Sequence, residues 1–355
     1  MKLAVIGGGY WGANLIRVFH SLGVLDRICE SNPARGCELA ALYSDIRVEQ
    51  SVAPILDDAS IDAVVIATPA ETHFTLAQQA LRAGKDVFVE KPMTLRSADT
   101  EKLIAIAASN GRVLMVGHLL EYHPAILRLQ ELIGEGQLGK IEYIYSNRLN
   151  LGKVRREENA LWSFAPHDIS VMLLLLNEMP IQVTASGGTY LQPNIADVTV
   201  STMLFGGGTR GHIFVSWLHP FKEQKLVIVG EKRMAVFDDV AKTDKLQLFN
   251  KRIDLVGGQF VVERPVGTPV EFSSDEPLKA ECLHFIECVA NRRTPRTDGY
   301  DAWRVLRVLE ASERSLSMNG VPVTVDSAML ETRAQNRGGQ TLVQMQASDV
   351  VGVRN

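Results

Sequence analysis

The chain has little of what would mark it as secreted, membrane-bound or nucleic-acid-coating. Only four cysteines occur in 355 residues, Cys29, Cys37, Cys282 and Cys288, and none forms a C-x-x-C pair. That is no disulfide framework. The chain also lacks any Asn-x-Ser/Thr sequon, and both absences fit a reducing compartment. Long apolar runs are missing: no wholly apolar stretch exceeds the six residues of 171–176, far short of a membrane span. Positive charge is not in excess, since 37 Lys and Arg against 41 Asp and Glu leave 37 − 41 = −4. A surface built to neutralise phosphate backbones is therefore not expected. The first residues enter Gly7 without a signal-peptide pattern. No internal repeat or low-complexity segment is visible. What is there is 46% hydrophobic and 22% charged, the composition of a globular chain. The expectation is a cytoplasmic protein of more than one domain, binding neither nucleic acid nor membrane.

The first third alternates strand and helix. Residues 2–6 are β-rich, and a helical pattern runs to Leu22. Residues 27–29, 62–67, 86–89 and 112–116 read as further strands, with helices over 72–83 and 98–109. Repeated β-α-β predicts a parallel sheet with helices on both faces. After about residue 123 the pattern changes. Longer alternating runs (141–148, 181–190, 197–205, 211–217, 225–230, 234–238) predict a mostly antiparallel sheet. Gly206-Gly207-Gly208 suits a hairpin connection. One helix, roughly 167–176, interrupts these strands, and two follow at 276–290 and 300–317. The expected division is 1–120 for the first domain, 121–326 for the second and 327–355 for a surface extension, with the last helices able to pack back on the first domain.

Gly7-Gly8-Gly9-Tyr10-Trp11-Gly12 satisfies G-x-G-x-x-G after a strand and at the start of a helix. Gly7 permits the tight turn, Gly9 lets the backbone approach a pyrophosphate, and Gly12 lets helix and strand pack closely. The phosphates would sit on the helix N-terminus. Glu30, 18 residues after Gly12, ends the second strand. A carboxylate there accepts from both ribose hydroxyls and repels a 2′-phosphate, which favours NAD over NADP. Arg27 and Arg35 lie nearby and weigh the other way.

Glu90-Lys91-Pro92 closes a strand at the edge where open α/β sheets bind ligands. Position alone leaves Lys91 equally able to face a cofactor or to pair with Glu90 at the surface. Leu161-Trp162-Ser163-Phe164-Ala165-Pro166-His167-Asp168 opens the helix of the second domain, and Pro166 suits a first helical turn. His167 has the right chemistry for a general acid or base, although a lone histidine at a helix start is more often a cap or a packing group. His118, Glu121, His123 and His167 match no metal spacing, so no metal is expected.

These pieces together, with the Ala67-Thr68-Pro69-x-x-x-His73 turn, resemble the Gfo/Idh/MocA oxidoreductase family over about residues 1–320. The resemblance implies a Rossmann domain followed by an α/β domain with an open-faced, mostly antiparallel sheet. It implies hydride transfer between NAD and a sugar or cyclitol carbon. Lys91 and His167 take the catalytic positions. Gly7, Gly9, Tyr10, Trp11, Gly12, Glu30, Thr68, Pro69, His73, Glu90, Lys91 and His118 take the cofactor side. One departure stands out: the family commonly has an aspartate four residues before the histidine, and here that residue is Ser163. Serine brings no charge to steady a protonated imidazole.

Three further stretches, residues 116–124, 148–159 and 216–223, are similar to a subgroup that acts on UDP-linked amino sugars. This implies oxidation of the C3 hydroxyl of UDP-N-acetylglucosamine before a PLP-dependent aminotransferase, in making a diamino sugar for lipid A. Arg148, Lys153, Arg155 and Arg156 form a basic cluster suited to a diphosphate, or a solvated loop paired with Glu157 and Glu158. Glu121, Tyr122, Asn150, Trp162 and Asp168 complete the expected substrate side. A UDP-N-acetylglucosaminuronate, a dTDP-ketosugar and an inositol are rival substrates, and a catalytically silent NAD-dependent sensor is a rival function. The resemblance also implies a homo-oligomer, a dimer of dimers, built through the second domain.

Overall fold

The structure, a computed structural model, describes residues 1–152, 154–326 and 329. Lys153 of the expected basic cluster and nearly all of the C-terminal extension lie outside the described residues.

The first sheet is built from β1 (Leu3–Ile6), β2 (Leu25–Cys29), β3 (Arg47–Glu49), β4 (Ala63–Ile66), β5 (Asp86–Glu90) and β6 (Leu114–Gly117). All five pairings are parallel, in the order β3-β2-β1-β4-β5-β6. This is the doubly wound order of a dinucleotide-binding domain. The strands are short and apolar because both faces are covered, and β1 and β4 are buried at every position. The crossovers are α1 (Gly12–Ser21), α2 (Pro33–Leu42), α3 (Ala53–Leu56), α4 (Ala70–Arg82) and α5 (Ser97–Ser109). Sequence reading passed over α2, β3 and α3, which are short and weakly patterned.

A 3₁₀ turn at Leu119–Tyr122 and α6 (Pro124–Gly134) lead into the second sheet. Its strands are β7 (Ile141–Leu149), β8 (Pro180–Gly188), β9 (Val198–Phe205), β10 (Arg210–Ser216), β11 (Glu223–Gly230), β12 (Arg233–Asp238), β13 (Leu246–Asn250), β16 (Gly267–Pro269) and β17 (Val323–Thr324). Only β7 and β10 run parallel, and the other pairings are antiparallel. A helix, α7 (Ala160–Leu176), packs on the inner face with Ile144, Met203, Ile213 and Val215 in its core. The outer face carries Tyr143, Tyr145 and His212, whose rings follow one another at 6.1 and 4.8 Å. A separate hairpin of β14 (Ile253–Val256) and β15 (Gln259–Val262) stands exposed.

The last helices tie the halves together. Leu278, Cys282, Phe285 and Cys288 of α8 (Pro277–Asn291) join the core of the first sheet with Leu15, Phe19 and Phe88. The helix α9 (Gly299–Ser317) sends Ala302 into the first domain and Val305, Leu309 and Ala311 into the second. Burying these apolar side chains, worth about 1.5–3 kcal/mol for each Leu, Val or Phe, fixes the two sheets across the cleft between them. All four cysteines are free. Among the described residues, no helix is long and apolar enough to cross a membrane.

Candidate active site

The glycine turn is built for a close-packed ligand. Gly7 has φ +97°, and a Cβ there would meet the Ala67 carbonyl oxygen at 2.7 Å. A Cβ on Gly12 would lie 2.0 Å from the Gly7 oxygen, so only glycine lets α1 start against β1. Gly9 faces open space, and Tyr10 is 92% exposed at the head of the helix. At the end of β2, Glu30 accepts from the Gly8 and Asn32 N–H groups, both at 2.8 Å. Its carboxylate is thereby held beside the turn with acceptor capacity to spare. Arg27 turns away and binds Asp58, with Glu49 also at 3.7 Å. Arg35 bonds the Gly8 carbonyl at 2.8 Å and Glu38 at 2.7 Å. Both guanidiniums are engaged by protein acceptors and Glu30 sets a carboxylate at the end of β2, so the residues present fit NAD.

The carboxyl edge of the sheet carries the reactive groups. Glu90 is 8% exposed and accepts from the Trp11 indole N–H. Burial pushes its carboxyl up to about 7, against the pull of Trp11 and Lys91. The Lys91–Pro92 peptide is cis. Lys91 Nζ reaches across the cleft to the Ser163 carbonyl oxygen at 3.2 Å. Burial lowers its pKa, with Arg155 and Arg148 adding to the effect and Glu158 and Glu90 opposing it.

His167 lies one helical turn after Ser163 on α7. This helix begins earlier than expected, at Ala160, because Asn159 caps it by accepting from the Trp162 N–H at 3.1 Å. Pro166 is therefore inside the helix rather than in its first turn. It cannot donate to the Trp162 carbonyl, and its ring loosens the helix there. His167 Nδ1 is buried with no hydrogen-bond partner. Burial, then the charges of Lys91 and Arg148, pull its pKa well below the usual histidine value. The ring is neutral at physiological pH and leaves a nitrogen for a ligand hydroxyl to satisfy.

Several expected contact residues do other work. His73 is 1% exposed, with its ring nitrogens 2.8 Å from the Pro92 and Thr68 carbonyls. It ties the Thr68-Pro69 loop to the Lys91-Pro92 loop instead of facing the cofactor. Tyr122 is buried, bonds Thr297 at 3.0 Å and lies under Arg296, so it cannot stack on a base. Asp168 is 4% exposed and accepts two bonds from Arg148, at 2.9 and 3.1 Å, and one from Ser146 at 2.6 Å. Asp168 holds Arg148 in place, where both had been expected to contact substrate. The Trp162 indole N–H donates to Glu313 at 3.2 Å. Arg155 pairs with Glu158 at 3.0 Å, Arg156 is exposed, and Asn150 sits at the end of β7. This loop adjoins Lys91, whose charge both Arg155 and Glu158 perturb.

Glu121 is 1% exposed and lies beside His118 and Asp301, not towards open space. Ligand atoms of these three fall within 4.8 Å of one another. His118 and Asp301 satisfy each other, with His118 Nδ1 2.6 Å from Asp301 Oδ2 and Arg304 on the same carboxylate, whereas Glu121 Oε1 is buried without a hydrogen-bond partner. Sequence reading missed Asp301 and the buried Glu281 of α8, because their neighbours lie far away along the chain.

Residues 1–118 match the family described as "Oxidoreductase family, NAD-binding Rossmann fold". Residues 126–236 match the "GFO/IDH/MocA C-terminal domain". The chain is 29% identical to the UDP-N-acetylglucosamine 3-dehydrogenase of Acidithiobacillus ferrooxidans over 86% of this chain and 94% of that one. A solved structure of that enzyme superposes with a TM-score of 0.79, covering 90% of this chain and 98% of the other at 27% identity. The chain is also 25% identical to the scyllo-inositol 2-dehydrogenase (NAD(+)) of Bacillus subtilis, over 92% of this chain and 96% of the relative.

Proposed function

This chain belongs to the Gfo/Idh/MocA oxidoreductase family and is an NAD-dependent oxidoreductase, and from that premise we propose that it oxidises the C3 hydroxyl of UDP-N-acetylglucosamine to the 3-keto sugar. The observation that carries the reading is the meeting of Lys91 and the Ser163–His167 turn across the cleft, with Lys91 Nζ 3.2 Å from the Ser163 oxygen. The likeness to a UDP-N-acetylglucosamine 3-dehydrogenase over most of both chains supports the substrate.

When bound, NAD supplies the hydride acceptor. The glycine turn and Glu30 hold its phosphates and ribose. Neutral His167 takes the hydroxyl proton as the C–H bond breaks. Lys91 donates a hydrogen bond to the same oxygen as it becomes a carbonyl, and its ammonium offsets the developing charge. Trp162 and Asn159, both fixed on Glu313, support the wall of the cleft. Arg148, held by Asp168, and Arg155 lie on the side where a diphosphate would enter. The 3-keto product is suited to a PLP-dependent aminotransferase, and the exposed apolar face of the second sheet suits a homo-oligomer.

Lys91→Ala and His167→Ala should each cut turnover by roughly 10²–10⁴-fold, with NAD affinity retained. Near-wild-type turnover in both would overturn the assignment. A second reading, oxidation of a free ring alcohol, draws on the scyllo-inositol relative. It predicts turnover of inositols without any nucleotide.

A further inference from the structure

His118 follows β6 as Lys91 follows β5, and the pairing of Glu90 with Gly117 sets the two side by side at the carboxyl edge. The 3₁₀ turn that begins at Leu119 packs against α7, the helix that carries His167. His118 is 2% exposed, and its Nδ1 lies 2.6 Å from Asp301 Oδ2 in the first turn of α9. Asp301 is itself fixed. Arg304 donates to its Oδ1 at 2.8 Å, and its own N–H is accepted by the helix-capping Asp298 at 3.0 Å. Glu121 closes the cluster, with Oε1 3.8 Å from His118 Nδ1.

The charges sort clearly. Burial, then Asp301, pushes Glu121 far above the carboxylate range, so it keeps its proton. Burial would push Asp301 up too, but the bonds from His118 and Arg304 hold it below its ordinary value. An ionised carboxylate only accepts. The Nδ1 that faces Asp301 therefore carries a proton, and Nε2 is the nitrogen turned away from that carboxylate. Position 163 supplies only a main-chain carbonyl to Lys91, and the carboxylate that fixes His118 comes from α9.

We propose that Asp301 is a positioning residue of the active centre: it holds His118 in the Nδ1–H form, so that Nε2 accepts a hydrogen bond from a hydroxyl of the bound sugar beside Lys91 and His167. This rests on the sugar-dehydrogenase reading of the site, and the test separates the two.

In the full chain with NAD bound, nitrogen-15 NMR of labelled histidines, assigned with His118→Gln, should place the His118 proton on Nδ1. A proton on Nε2 overturns the proposal, whatever the enzyme turns over. Kinetically, Asp301→Asn should lower kcat/KM for the sugar at least 30-fold while NAD affinity changes less than two-fold. His118→Gln keeps an acceptor at the Nε2 position without needing Asp301. In that background Asp301→Asn should cost less than three-fold, since coupled residues are non-additive. Equal losses in both backgrounds would mean a purely structural role and would sink the proposal. A chain inactive on every sugar, with the proton on Nδ1, would overturn the substrate reading and leave the positioning of His118 standing.

Discussion

Replacing Glu281 with methionine should stabilise this protein, and the gain should grow with pH. Glu281 is 0% exposed on α8, and neither carboxylate oxygen has a hydrogen-bond partner. Each unsatisfied buried polar atom costs about 1–3 kcal/mol. Methionine has similar length and no strong polar atom, and a near-isosteric exchange gives back less than about 1.5 kcal/mol. The two oxygens belong to one carboxyl group, so the net expected gain is the difference, up to about 3 kcal/mol. Burial, with Glu90 adding to it, raises the Glu281 pKa far above its ordinary value. The folded state therefore keeps a proton that the unfolded chain releases above about pH 4.3. The Glu281 contribution to wild-type stability is fullest below that pH and falls by about 1.4 kcal/mol per pH unit on the way up to the folded pKa. Glu281→Met does not bear this loss, so the gap between the two chains should widen by that slope. Denaturant unfolding at pH 5, 6 and 7 measures it, followed by tryptophan fluorescence, to which Trp11, bonded to Glu90 in the same region, contributes. A gap that stays constant with pH, or a destabilised variant, would mean that Glu281 is ionised and paired, and would refute the reasoning.

Other consequences are equally direct. Gly12→Ala sets a Cβ 2.0 Å from the Gly7 oxygen and should weaken NAD binding at least ten-fold by calorimetry; unchanged affinity would remove the turn from the cofactor site. Glu30→Gln takes away the carboxylate that repels a 2′-phosphate while Arg35 stays nearby, so the ratio of kcat/KM for NAD over NADP should fall. Lys91→Met removes a charge that depresses His167, so the His167 pKa should rise towards about 6.5 in an NMR titration, and a downward move would contradict the electrostatics. In the wild type the neutral ring is the working base, so kcat should lose its acidic limb only below pH 6.5.

The parts legible in the sequence were those written locally. The glycine turn, the short apolar strands and Glu30 each depend on neighbours a few residues away, and the first domain could be read from them. Helices α8 and α9 begin within one residue of their expected starts, since amphipathic periodicity reports a helix wherever it packs. The start of α7 was misplaced because Pro166 looks like a first-turn proline, while the true signal, Asn159 as a cap, stands seven residues earlier. Groups defined by long-range meetings were not legible. Asp301 lies 183 positions from His118. The burial of Tyr122 and Glu121 depends on helices that return from the far end of the chain. Basic residues in a row suggested a diphosphate clamp, yet whether an arginine is free depends on the acid that folds against it, as Asp168 does with Arg148.

The most direct test of the central claim follows the hydride itself. UDP-N-acetylglucosamine deuterated at C3 is incubated with the enzyme and NAD, and an aminotransferase draws off the keto sugar. Deuterium should appear at C4 of the nicotinamide in the NADH formed, and Lys91→Ala should slow its appearance roughly 10²–10⁴-fold. NADH without deuterium, or NADH formed only from free inositols or unlinked sugars, would contradict it.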